Sequence, residues 1–409
     1  MPPVLMSLCE RIIHKVFTPL KLGQLTFVFP DGSTRIYGQQ PDSISAQIRL
    51  NHRREFFTKC LLYGDVGFGE SFLDGDWDSP DLTKVIEWMI LNVEHHPTLM
   101  ADSVKNAPVN WFRLFNTMAH KLRDNTLMGS HKNISAHYDL GNDFFKTFLD
   151  PSMAYSSAYF TDSKQSLHEA QAAKFDMWCK KLRIKPSDRV LEIGCGWGGF
   201  SLYAVKNYGC HMTAITISKE QYEHCLELFK REGLNDKIDV QFVDYRHVKG
   251  LYDKIISIEM IEAVGHNFLP VYFKQIHHLL KSDGLVGLQM ILAPDHRYES
   301  FRKNVDFIQK HIFPGSLLPS LRAIQQAIHE TGVLCVFDYE DISPSYVRTL
   351  QIWRQEFNRN RSVVEELGFD DVFMRKWNYY FSYCEAAFAM RNIAVAQAVL
   401  TRPNNYQLL

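Results

Sequence analysis

Residues 190–199 read VLEIGCGWGG, a short apolar run that opens into four glycines within ten positions. This is the pattern of a strand that ends in a tight turn before a helix. Glycine lets backbone approach a ligand closely, and the following helix turns its first N–H groups toward it. Gly194, Gly196 and Gly199 satisfy G-x-G-x-x-G, so a dinucleotide has to be weighed. Three details oppose it. Trp197 puts bulk where a pyrophosphate needs open backbone. Glu192 stands just before the turn, where its charge repels phosphate. The next strand ends in Thr216 to Gln221, without the acidic residue that takes a ribose diol in NAD proteins.

A ligand with a positive centre and no phosphate fits the turn better, and S-adenosylmethionine is such a ligand. After the third strand, Asp244-Tyr245 stands where an adenine can be bonded and covered. A tight turn that holds nothing is the plain alternative, and the regularity of the flanking pattern argues against it.

That pattern runs outward from the turn. A helix is expected over about 167–183 and strands over 188–193, 211–217, 238–244, 252–258 and 284–291. Ser218 and Gln221 form a capping box ahead of a helix carrying Tyr222, Cys225, Leu226 and Phe229 at helical spacing. Residues 333–342 and 393–401 read as two closing strands, with aromatic-rich helices near 346–360 and 370–391 between them. Alternating strands and helices predict an α/β fold with a doubly wound, Rossmann-like parallel sheet and helical insertions. Earlier in the chain, LGQLTFVFPDGSTRIYG (22–38) alternates on both sides of Pro30-Asp31-Gly32 and reads as a β-hairpin. Ser79-Pro80-Asp81 starts a helix at 81–93. The expected division is a small N-terminal α+β domain over 1–95, a linker over 96–135 and the main domain over 136–409.

The linker carries NWFRLFNTMAHKLRDN (110–125), with Trp111, Leu114, Phe115 and Met118 on one face and Arg113, His120, Lys121 and Arg123 nearby. It reads either as a helix packed on the main domain or as an interfacial helix touching anionic lipid. The N-terminal MPPVLMSLCERIIHKVF is too interrupted by charge for a secretory signal and reads as a short amphipathic helix on a surface. No apolar run approaches the roughly 18 residues that span a bilayer. Of the 409 residues, 46% are hydrophobic and 22% charged, and the net charge of −1 offers no global attraction to nucleic acid. Eight cysteines without a C-x-x-C pair, and 17 histidines without ligand spacing, predict reduced thiols in a cytoplasmic setting and no metal.

Six segments occur in order: HYDLGNDFF (137–145), AYSSAYF (154–160), VLEIGCGWGG, TISKEQ (216–221), IEMIEAVG (258–265) and HIFPGSLLPS (311–320). Over about residues 130–400 the chain thereby resembles the cyclopropane-fatty-acyl-phospholipid synthase family of S-adenosylmethionine-dependent methyltransferases. The N-terminal 95 residues resemble the extra domain of longer members. The resemblance implies methyl transfer to the double bond of a phospholipid acyl chain at the membrane surface, then loss of a proton that closes a cyclopropane ring. It also implies a bicarbonate ion at the last step.

Carried over by position, Tyr155 and Ser156 lie against the methionine end of the cofactor, and Gly194, Cys195, Gly196 and Trp197 form the loop beneath it. Thr216 and Gln221 reach the ribose region, Tyr245 and Arg246 the adenine region. At the anion site Glu262 matches a family carboxylate, Ile291 a backbone donor and Tyr346 a hydroxyl donor. Ser157 replaces the family's cysteine, Gln289 replaces its histidine, and EAVG replaces EHVG at 262–265. Ser157 and Gln289 still donate hydrogen bonds to an anion, but Gln289 takes up no proton, so methyl or methylene branching stands beside ring formation. Plain readings accompany the sharp ones. Glu262 can cap a helix and Tyr346 can be an ordinary buried tyrosine. Cys384 matches a cysteine position of the family's C-terminal helix, yet falls in a core-like stripe with Phe373, Trp377, Tyr380, Phe381 and Phe388. His137 is assigned to backbone bonding or a lid, and Tyr138 and Asp139 to a flap. A small-molecule amine methyltransferase and a lipid-binding protein without catalysis are the rival functions, and a homodimer would set two membrane-facing surfaces side by side.

Overall fold

The computed structural model describes residues 3–39, 43–93 and 140–408. They fall into two units, each assembled from separate stretches of chain. The first comprises the described part of Met1–Leu122 together with Ser300–Ile312 and Arg361–Asn392, and the second holds the rest. The sequence alone groups residues 361–392 with the main domain. Packing puts them with the N-terminal residues instead.

The first unit contains a sheet of order β2-β1-β3-β4, formed by Gln24–Val28 (β1), Thr34–Gly38 (β2), Ser45–Leu50 (β3) and Trp77–Asp78 (β4). The expected hairpin is present. β1 and β2 run antiparallel with Gln24 opposite Gly38, and Asp31 Oδ1 closes the turn by accepting from Ser33 N and Oγ. The alternation of β1 drives Leu25 and Phe27 fully inside. The N-terminal helix Pro3–Phe17 forms, but Cys9 and Phe17 are buried in this unit rather than laid on a surface, and Phe17 meets Trp88 edge-on at 6.0 Å. The helix Asp371–Ala389 joins the same core: Thr83 Oγ1 donates to Glu385 Oε2 at 3.1 Å, and Arg375 donates to the carbonyls of Phe72 and Trp77.

The second unit is the doubly wound sheet. Arg189–Ile193 (β5), His211–Thr216 (β6), Ile238–Phe242 (β7), Tyr252–Ile258 (β8), Leu280–Leu292 (β9), Cys335–Asp341 (β10) and Ala394–Thr401 (β11) lie in the order β10-β11-β9-β8-β5-β6-β7. The strands from β7 through β9 are parallel, and β11 and β10 close the edge antiparallel. All seven predicted strands are found. β5 to β7 progress one way, and β8 returns to the other side of β5. The crevice beyond the carboxyl ends of β5 and β8 is therefore the switch point where such sheets bind ligands.

Apolar side chains cover both faces. Leu191, Ile193, Ile255, Val286 and Leu288 belong to one core and Val190, Ile256, Trp178, Leu182 and Phe200 to the other. The helix Leu167–Lys181 begins at a complete capping box, Ser166 with Glu169. It lies close on the sheet because β9 offers Gly287, where an added Cβ would stand 2.7 Å from Trp178.

Candidate active site

The turn after β5 is held from behind by one acceptor. Ile215 O on β6 receives both Gly194 N and Cys195 N at 3.0 Å. Gly194, Gly196 and Gly198 all have positive φ, which an L side chain resists. At Gly196 (φ +54) an added Cβ would meet nothing within 4 Å among the described residues, so the backbone there is uncovered by them. The Cys195 thiol is enclosed beside Cys225, and that neighbour and burial push its pKa up, keeping it an inert thiol. Trp197 is buried and points its Nε1 to Asn142 Oδ1 at 2.7 Å, with Phe145 4.9 Å away. Tyr155 extends this aromatic wall, 5.4 Å from Phe145 and 5.3 Å from Trp353.

Glu192 behaves differently from the sequence expectation. It lies inside the protein, bonded by Ser201 Oγ, and burial pushes its pKa up to about 8. At neutral pH it holds its proton, so its charge is not what would turn phosphate away. Next door, buried Lys174 donates to Ser156 Oγ at 2.6 Å, and burial draws its pKa down to about 8.

At the end of β6, Thr216 Oγ1 donates to Gln221 Oε1 at 2.8 Å and accepts from Ser218 N. Ser218 caps the helix Lys219–Arg231 as expected by accepting from Gln221 N. The Gln221 side chain is taken by Thr216, so only this half of the capping box is seen. After β7, Arg246 grips Asp244 in a fork at 2.8 and 2.7 Å, and Tyr245 is buried against Tyr272.

The turn after β8 brings the remaining candidates together, with one addition. Glu262 Oε1 accepts from Ile291 N at 2.5 Å, while its buried Oε2 has no hydrogen-bond partner among the described residues. Burial and the nearby charge of Glu259 push the Glu262 carboxyl up to about 8. Glu259 was not singled out from the sequence. It has a positive φ of 50° and accepts from three groups expected to hold an anion. Ser157 N lies at 2.8 Å and Gln289 Nε2 at 2.7 Å on Oε1, and the Tyr346 hydroxyl at 2.9 Å on Oε2. The Ser157 hydroxyl turns away to Ala158 O. Gln289 Oε1 accepts from Trp178 Nε1 at 3.2 Å and from Gln397 Nε2 at 3.0 Å, which fixes its amide with Nε2 toward Glu259. The sequence signal was present: an extra carboxylate three residues before Glu262, in a chain lacking the usual cysteine and histidine.

Cys384 belongs to the first unit, unlike the other candidates. Burial and Asp306 push its thiol up, and Trp377, Tyr380, Phe381 and Phe388 of its helix are buried, consistent with the core reading of that stripe. The 110–125 segment, His137, Tyr138 and Asp139 lie outside the described residues. Among the described residues no helix is long and apolar enough to cross a membrane.

Residues 126–398 match the mycolic acid cyclopropane synthetase family. The chain is 34% identical over 408 residues to the tuberculostearic acid methyltransferase of Mycobacterium tuberculosis, covering 97% of this chain and 91% of that protein. It is 36% identical over 366 residues to the cyclopropane-fatty-acyl-phospholipid synthase of Escherichia coli K12, covering 88% and 89%. A crystal structure of a mycolic acid cyclopropane synthase complexed with SAH and CTAB superposes with a TM-score of 0.62 at 32% identity, covering 66% of this chain and 98% of that one.

Proposed function

Because this chain belongs to the mycolic acid cyclopropane synthetase family, we propose that it methylates the double bond of unsaturated acyl chains in membrane phospholipid and closes a cyclopropane ring there. That it is an S-adenosylmethionine-dependent lipid methyltransferase follows from the family and its relatives. The phospholipid, the ring and the residue roles are our reading.

The observation that carries it is the environment of the glycine turn. Among the described residues nothing covers the backbone at Gly196. The expected cofactor contacts around it are aromatic or neutral: Tyr155, Trp197, Thr216 and Gln221. Arg246, their one cation, is paired with Asp244. Within the turn a sulfonium therefore meets π faces and oxygens, and buried Lys174, the cation beside the expected methionine end, donates to Ser156 Oγ. These residues fit the donor. Tyr155 and Ser156 would line its methionine end, the turn from Gly194 to Trp197 its underside, Thr216 and Gln221 the ribose, and Tyr245 and Arg246 the adenine. When bound, it supplies an electrophilic methyl group. An alkene is a weak nucleophile, so the protein's task is to hold it in line and keep water out. The aromatic wall of Phe145, Tyr155, Trp197 and Trp353 serves that end. Reaching a lipid would place the protein at the membrane face without a spanning helix.

The test is to incubate the protein with methyl-labelled S-adenosylmethionine and vesicles of mixed unsaturated phospholipid, then fragment the lipid. A gain of CH2 with label at the former double bond is expected, and unchanged lipid mass across chain types sinks the proposal. The second reading, a methyl or methylene branch, is favoured by Gln289, which takes up no proton, and by the relative named a tuberculostearic acid methyltransferase. The same fragmentation separates ring from branch.

A further inference from the structure

The geometry points to Glu259 as the group that receives the proton released after methyl transfer, so that this chain works without a bound bicarbonate ion. The inference rests on the lipid-methylating reading above and adds the base to it.

The resemblance implies an anion held by the groups at positions 157, 262, 289, 291 and 346. Every one of those groups is already engaged. Ser157 N, Gln289 Nε2 and the Tyr346 hydroxyl converge on the Glu259 carboxylate. Ile291 N donates to Glu262. Among the described residues what remains is a single oxygen, Glu262 Oε2. A bicarbonate ion would have to displace a covalently tethered carboxylate of like charge from three donors, next to a second carboxyl group. The residues present do not fit it. They fit a carboxylate, and the chain supplies its own.

Glu259 also has the properties the step requires. Its three donors hold it in one orientation, two on Oε1 and one on Oε2. Each carboxylate oxygen has more than one lone-pair site, so acceptor capacity remains. The residue keeps partial solvent accessibility, unlike the buried Glu262. The strained positive φ persists although its backbone N–H also donates to Gln289 O at 2.7 Å. Strain of this kind collects where the fold holds a side chain in place for function. Burial raises its pKa above the ordinary carboxylate range, while Lys174 and the three donors restrain the rise.

The π pair of the alkene forms the bond to the incoming methyl carbon, and the carbon–sulfur pair leaves with sulfur. The lipid cation then loses a proton from that methyl group to a Glu259 oxygen. The freed C–H pair closes the third side of the ring. The carboxylate becomes a carboxylic acid and later returns the proton to water. Glu262, held protonated at neutral pH, does not compete for that proton.

Three measurements decide the matter. Wild-type protein is assayed with unsaturated vesicles in carbon dioxide-stripped buffer, with and without added bicarbonate. Equal rates are expected, and a requirement for bicarbonate overturns the inference without any variant. Glu259→Gln is expected to slow turnover by about 10²–10⁴-fold, the usual range for a lost general base, with S-adenosylmethionine binding by calorimetry unchanged. Wild-type rate in that variant overturns it. Glu259→Gly suits the positive φ and vacates the donors. The ¹³C resonance of labelled bicarbonate should broaden with Glu259→Gly and not with wild type, and bicarbonate should restore part of the variant's activity. Broadening by wild type overturns the inference even if no lipid substrate is ever found, whereas wild-type protein that modifies no lipid overturns the proposed function.

Discussion

At the scale of single residues, two positions of the candidate site each give a measurable outcome. Gly196 has the left-handed φ that costs an L residue roughly 1–2 kcal/mol, and among the described residues nothing fills the space its missing side chain leaves. Gly196→Ala should fold with a melting temperature a few degrees lower and bind S-adenosylmethionine at least about tenfold more weakly by calorimetry. Unchanged affinity would mean the donor does not sit against this turn. Glu262, pushed from its ordinary 4.5 to about 8, makes stability depend on pH. A carboxyl raised in the folded state contributes fully below 4.5, and that contribution is lost as pH rises through about 8. Wild type should therefore lose stability between pH 5 and 8, by at most about 1.4 kcal/mol per pH unit from this group. Glu262→Gln should flatten that slope in thermal scans, and parallel slopes would refute the assignment. Glu192, also near 8, remains in the variant as a second source of slope.

Most candidate residues could be named from the order of the motifs, because a ligand-binding turn needs particular residues in consecutive positions. Glu259 was not. Its partners lie 102, 30 and 87 positions away, and a glutamate beside a helix start reads equally well as a cap. Nor does sequence reveal that Ser157 offers its backbone rather than its hydroxyl.

Among elements, β9 carries the largest share of organisation. It pairs with β8 on one side and β11 on the other, and Gln289 at its centre bonds Trp178, Gln397 and Glu259. Gln289→Leu keeps similar volume but leaves these polar groups without their partner, at about 1–3 kcal/mol for each one left buried and unsatisfied. Loss of at least about 2 kcal/mol in urea unfolding is expected, and a loss below about 0.5 kcal/mol would mean water replaces the amide. The strands and helices of the second unit were readable because their periodicities are local. Strand identity survives in short apolar runs such as VLEI, bounded by glycine and polar turns. The partner of the helix Asp371–Ala389 was not readable, because an apolar stripe says that a face is covered and not by what.

For the whole molecule, the division into two units cuts across chain order. Removing residues 1–93 would strip Thr83, Phe72 and Trp77 from the helix Asp371–Ala389, which bonds all three. The shortened protein should be poorly soluble and bind a hydrophobic dye such as ANS, whereas a soluble, fully folded product would show that the helix tolerates the loss of these partners. A cut placed by sequence at residue 95 would leave that helix on the wrong side.

The same arrangement bears on how the chain is made. Thr83 and Glu385 are 302 positions apart, so the ribosome delivers one half of this core well before the other. At about 5–20 residues per second the early half waits some tens of seconds with an apolar face uncovered. A protein built this way calls for chaperone shelter during translation, and slowing elongation should lengthen its exposure to proteases.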